Sequence, residues 1–174
     1  MSHGSEALDQ RTALLRSLSQ SLARSVTAFE QTEQADLRTF PDYKKSRAAY
    51  LEIQALIFMI GERAGEIPTG APADLRSWLV RMRLRAVATF TRISLKFFRN
   101  PPALLIQALG AYEILEQELE AFDGVLKIYD MLLLEAALDD KTADELDLVR
   151  VQMEEVVGLL SQLLKTAPPP LTIF

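Results

Sequence analysis

The sequence predicts an all-α protein, an antiparallel up-and-down bundle of about five helices with one long central helix at about 102–138. Glycine and proline are few, 7 and 8 in 174 residues, and they cluster at a small number of breaks. Between the breaks, apolar residues recur at spacings of three and four over several heptads. Residues 1–167 are expected to form one domain, which a proline-led apolar tail follows at 168–174.

The first two helices are predicted over about 5–34 and 39–65. The first carries one apolar stripe with a seven-residue repeat. The second begins near Thr39, whose spacing to Asp42 is that of a capping box. Because residues 53–60 are apolar on almost every side, this second helix is also predicted to lie centrally in the bundle.

Three further helices follow. One is predicted over about 74–99, before the Asn-Pro-Pro corner. The next runs over 102–138, because its three-four apolar spacing continues in phase through Gly124. The last begins at Thr142, which has capping-box spacing to Glu145, and ends near residue 166.

The net charge of -5 is distributed unevenly along the chain. Residues 1–72 carry 8 Lys and Arg against 9 Asp and Glu, residues 73–102 carry 7 against 1, and residues 103–174 carry 4 against 14. Such asymmetry marks either an anion-binding surface or two segments that pair inside the fold.

Composition excludes several kinds of chemistry. The chain has no cysteine and a single histidine, His3, so thiol nucleophiles, disulfides and cysteine zinc sites are excluded, and no cofactor is expected. No apolar run approaches the roughly 20 residues of a membrane span, and the N-terminus lacks a secretory signal pattern. We therefore expect no transmembrane segment, and we expect a cytoplasmic location.

The third helix carries a strip of five aligned cations, Arg81, Arg85, Arg92, Lys96 and Arg99. If this helix folds back antiparallel to the 102–138 helix, Arg81 and Arg85 meet acidic partners there. Arg92, Lys96 and Arg99 then face a stretch without acids. These three are ordinary solvated surface charges, or they pair with another helix, or they hold a small anion.

Two other uses of charge are less favoured. Nucleic-acid binding needs a broad basic surface, whereas the chain has a pI near 5.0. A carboxylate-dependent enzyme would use the cluster Glu113, Glu116, Glu120 and Asp123, but these residues lie off the apolar heptad. Burial, which would raise the pKa of a general acid, is therefore not expected for them.

The C-terminal residues Leu171, Thr172, Ile173 and Phe174 follow three prolines. Thr-x-hydrophobic at a carboxyl terminus is a pattern that strand-adding peptide-binding domains such as PDZ accept. The alternative is that the three apolar side chains pack on the bundle or on a second subunit, because each gains roughly 1.5 to 3 kcal/mol on burial. If the tail stays free or packs on a second subunit, it is a candidate partner-binding segment.

The sequence therefore favours a non-catalytic interaction protein: an adaptor, a chaperone or a regulatory subunit. Its surplus of apolar helix surface, notably at 128–138, predicts a groove for a protein partner or the seam of a homodimer. The alternatives are a binder of small anions or nucleic acid through Arg92, Lys96 and Arg99, and then an enzyme that uses carboxylates.

Overall fold

A computed structural model of the chain describes residues 3–67, 73–135 and 140–170. The described residues form six α-helices and one short 3-10 turn, and their helix-to-helix packing confirms the all-α bundle. The helices are α1 (His3–Gln31), α2 (Phe40–Gly65), α3 (Ala73–Arg99), α4 (Ala103–Gln107), α5 (Ala111–Glu135) and α6 (Asp140–Thr166), and the 3-10 turn is Thr32–Gln34.

The central helix is α3, whereas the sequence predicted a central position for the second helix and for the helix at 102–138. Between residues 86 and 98 every side chain of α3 is buried except Arg92 and Lys96. Helices α1, α2, α5 and α6 all pack against α3. In contrast, α2 leaves Phe58 and Met59 exposed, although both belong to its apolar segment.

Stacked aromatic rings join α2, α3 and α5. Tyr43 stacks on Phe97 with ring centroids 4.8 Å apart, and Tyr50 stacks on Phe90 at 4.5 Å. Phe90 also stacks on Phe122 of α5 at 5.3 Å. Because Tyr43 meets the end of α3 and Tyr50 meets an earlier turn, α2 and α3 run antiparallel, as an up-and-down bundle requires.

The predicted continuous helix at 102–138 is interrupted. Helix α4 ends at Gln107, Ala108 adopts an extended backbone, and Gly110 has a φ of 85° before α5 begins. A residue in this left-handed conformation cannot continue a right-handed helix. Leu105, which belongs to the predicted apolar stripe, is buried, whereas Leu104 and Leu109 on other sides of this segment are exposed. Beyond the break, α5 passes through Gly124 without interruption, as predicted.

Helix ends agree with the sequence at α2 and differ at α6. The Thr39 side chain accepts a hydrogen bond from the Asp42 amide at 3.3 Å, and the Thr39 amide donates to Asp42 Oδ2 at 3.2 Å, which confirms the capping box. Helix α6 already begins at Asp140, so Thr142 lies in its first turn and not at its cap. Within the described ranges, none of the helices combines the length and the apolar character that crossing a membrane needs.

Candidate functional site

The basic strip of α3 binds acids from the opposite side of the bundle to the one predicted. Arg85 forms a bidentate ion pair with Glu30 of α1, with N to O distances of 2.8 and 2.6 Å. Arg92 Nε donates to Glu33 of the 3-10 turn at 2.8 Å. The predicted pairing of Arg81 and Arg85 with acids of the 102–138 helix is therefore wrong. The break before α5 shifts the register between α3 and α5. As a result, Arg76, which does not belong to the strip, pairs with Glu135 at 3.4 Å.

Two further strip cations, Lys96 and Arg99, also have partners. Lys96 Nζ donates to the Ala35 carbonyl oxygen at 2.8 Å, and Arg99 forms a bidentate pair with Glu155 of α6 at 2.8 Å for both contacts. Together with Arg92, these side chains fasten the end of α1 and the middle of α6 to the central helix. The pairs match the surface-charge alternative, and an anion at Arg92, Lys96 and Arg99 would compete with partners already in place.

A cleft opens over α3 between α1 and α6, and we call it the α1/α6 cleft. Its volume is about 460 Å³. The floor includes Leu84 and Ala88 of α3, both buried. One wall includes Leu148 and Gln152 of α6, and Arg81 also lines the cleft. Arg92 is the single member of the predicted anion site that lines it.

A second opening lies on the other side of α3, between α2 and α5, and we call it the α2/α5 groove. Its volume is about 230 Å³. Phe58 of α2 and Leu132 of α5 form its sides, and Leu79 and Val80 of α3 lie beneath them. The ion pair between Arg76 and Glu135 lies at the same opening.

The two helices that flank the α2/α5 groove carry exposed large apolar side chains. Phe58 is 63% exposed. Leu51 lies two helical turns before Phe58 on α2, and Ile128 lies one turn before Leu132 on α5, so each shares a face with a groove residue. Both are exposed, as are Met131 and Leu134 further around α5. The predicted apolar surplus at 128–138 is thus exposed at three described positions, and residues 136–138 lie outside the described part.

Among the described residues, the buried acidic side chain is that of Glu118, and the sequence did not lead us to predict its burial. It is 1% exposed and forms an ion pair with Arg47 of α2. The Tyr43 hydroxyl donates to Glu118 Oε2 at 3.3 Å. Burial raises the pKa of the Glu118 carboxyl, and Arg47 opposes that rise. The signal was present, since Glu118 stands between Leu115 and Phe122 in the three-four spacing of the core face.

The predicted carboxylate cluster does not gather at a buried site. Asp123 pairs with Lys127 of the same helix at 2.6 Å, and Glu116 and Glu120 lie on the surface side of α5. Among the described residues, no group of three or more Asp, Glu, His or Cys side chains is arranged to hold a metal ion.

The predicted partner-binding residues Leu171, Thr172, Ile173 and Phe174 lie outside the described residues. Comparison with known proteins finds no matching family, no matching curated protein and no matching solved structure.

Proposed function

We propose that this chain is a non-catalytic interaction protein of the cytoplasm that binds an amphipathic helix of a protein partner in the α2/α5 groove. The observation that carries the proposal is the exposure of Phe58 beside Leu132 at an opening over the central helix. Adaptors, chaperones and regulatory subunits all use such a surface, and we assign this chain to that broad class.

The composition of the groove favours a helix as its occupant. Phe58 lines the groove, and the exposed Leu51 and Ile128 lie along α2 and α5 outside it, so a partner helix with apolar anchors spaced at three, four or seven can contact all three. A single monomer seldom exposes a contiguous apolar patch unless a partner covers it. Aromatic anchors at such sites contribute a large share of the binding free energy.

The groove also has a polar border. The Arg76 and Glu135 pair closes one end, and Glu62 lines the opening beside Phe58. A charged border around an apolar centre is the usual anatomy of a protein interface. We therefore expect the partner helix to carry a narrow apolar stripe with charged residues on both flanks.

The test compares Phe58→Asp with a matched control, Val151→Asp. Val151 is 60% exposed on α6, close to the 63% of Phe58, but it does not line the groove. Each purified variant is used to capture partners from native extract, and the captured protein is then titrated against both. We expect Phe58→Asp to weaken binding at least about tenfold and Val151→Asp to leave it unchanged.

Two outcomes contradict the proposal. One is an equal loss of partner binding in both variants, since binding would then not depend on the groove in particular. The other is a concentration-dependent dimer of the wild type, measured by light scattering on a sizing column, that Phe58→Asp converts to monomer. In that case a second copy of the chain, and not a foreign helix, occupies the groove.

A further inference from the structure

The α1/α6 cleft lies apart from the α2/α5 groove and has the size of a small-molecule site. Its volume of about 460 Å³ falls inside the range of about 300 to 1,000 Å³ that is usual for ligand pockets. We infer that this cleft binds a small apolar carboxylate, with Arg81 as the group that binds the carboxylate.

Arg81 is the strip cation whose charge the fold leaves unused. Arg85 pairs with Glu30, Arg92 with Glu33, Lys96 with a carbonyl oxygen and Arg99 with Glu155. Among the described residues, Arg81 makes no hydrogen bond or ion pair, yet it lines the cleft. A guanidinium offers a carboxylate two parallel N–H donors, so a carboxylate is the ligand group that matches it best.

The rest of the cleft defines the other parts of the ligand. Leu84 and Ala88 on the floor and Leu148 on the wall provide apolar contact for a branched side chain.

The cleft is unsuited to a polyanion. Glu30 and Glu145 line it together with the arginines, and Glu30 already neutralises Arg85. One uncommitted cation matches one carboxylate, whereas the second charge of a phosphate or sulfate would meet Glu145. This separates the site from an anion site at Arg92, Lys96 and Arg99.

The experiment is an NMR titration of the full chain with N-acetyl-leucine, which combines a carboxylate with a branched apolar side chain. Its neutral match is N-acetyl-leucinamide. We expect shifts of backbone amides in 84–88 and 145–152, and an affinity for the acid at least about tenfold above that for the amide. Arg81→Gln is expected to remove this preference, and Leu148→Glu to abolish binding of the acid.

The matched control is Arg76→Gln, because Arg76 belongs to the same helix and lies outside the cleft. The spectrum of each free variant reports whether it is folded, and Arg81 and Leu148 are both exposed, so folding should survive. The inference is overturned if acid and amide bind equally, if Arg76→Gln weakens binding as much as Arg81→Gln, or if inorganic phosphate displaces the acid. Absence of shifts at millimolar N-acetyl-leucine also overturns it.

Discussion

Arg47 and Glu118 form the pair in which charge and burial are most closely linked. Glu118 is buried, while the Arg47 side chain is 30% exposed and reaches solvent. The buried charge of Glu118 therefore depends mainly on Arg47 for its compensation. A buried charge that loses its partner is strongly destabilising, although an ion pair of this kind adds little net stability compared with apolar residues. The pair therefore orients α2 against α5 more than it strengthens the fold.

Replacing Arg47 with Ala is expected to lower the free energy of unfolding by about 2 kcal/mol at neutral pH, because Glu118 is left buried without its cation. Arg38→Ala serves as control, since Arg38 pairs with Asp36 on the surface, and it should leave the free energy of unfolding almost unchanged. Urea denaturation measures both. In a Glu118→Gln background, Arg47→Ala should cost less, and an undiminished cost would show that Arg47 acts through something other than this carboxylate.

The raised pKa of Glu118 has a consequence for pH dependence. Because the folded state favours the protonated carboxyl, its contribution to stability is complete below the ordinary pKa near 4.5 and is lost as pH rises through the folded pKa. Wild type should therefore lose stability relative to Glu118→Gln as pH rises from about that value. Urea denaturation of both proteins across this pH range measures the difference between their free energies of unfolding. A difference that stays constant, or that changes in favour of wild type as pH rises, contradicts this prediction.

At the scale of elements, sequence patterns located helices well and breaks less well. The capping box at Thr39 is a local feature, because Thr39 and Asp42 satisfy each other's hydrogen bonds, and its prediction is confirmed. The break at Gly110 depends on one residue with positive φ, and apolar spacing in phase on both sides concealed it. Both Gly110 and Gly124 stand within a continuous apolar three-four pattern. Yet Gly124 lies inside α5, whereas Gly110 lies immediately before α5 with a positive φ.

Alanine substitution distinguishes these two glycines. Neither has an atom within 4 Å of an added Cβ, so the backbone alone decides the outcome. Gly110→Ala should destabilise the fold by about 1 to 2 kcal/mol, because its φ of 85° is unfavourable for alanine. Gly124→Ala should stabilise it by about 0.5 to 1 kcal/mol through helix propensity. Thermal and urea unfolding measure both, and two changes of the same sign would refute this account of the break.

At the scale of the molecule, four of the described helices surround α3, and openings over α3 lie between α1 and α6 and between α2 and α5. Periodicity predicts which side chains of a helix are buried, but it does not identify the neighbouring helix. For this reason Arg85 could be placed on a polar strip from sequence, whereas its partner Glu30 could not. Likewise the apolar side of α2 predicted burial, while the gap beside α5 leaves Phe58 in solvent.

The central claim is that the α2/α5 groove is the surface that binds a partner helix. The chain contains no cysteine, so a single introduced thiol can carry a photocrosslinker at one chosen position. The decisive measurement compares Glu62→Cys, at the groove, with Val151→Cys, on α6, each labelled and irradiated in the presence of the captured partner. We predict a crosslink through an apolar-faced helix of the partner from position 62 and none from position 151. Crosslinking from 151 alone, or equally from both, would contradict the claim.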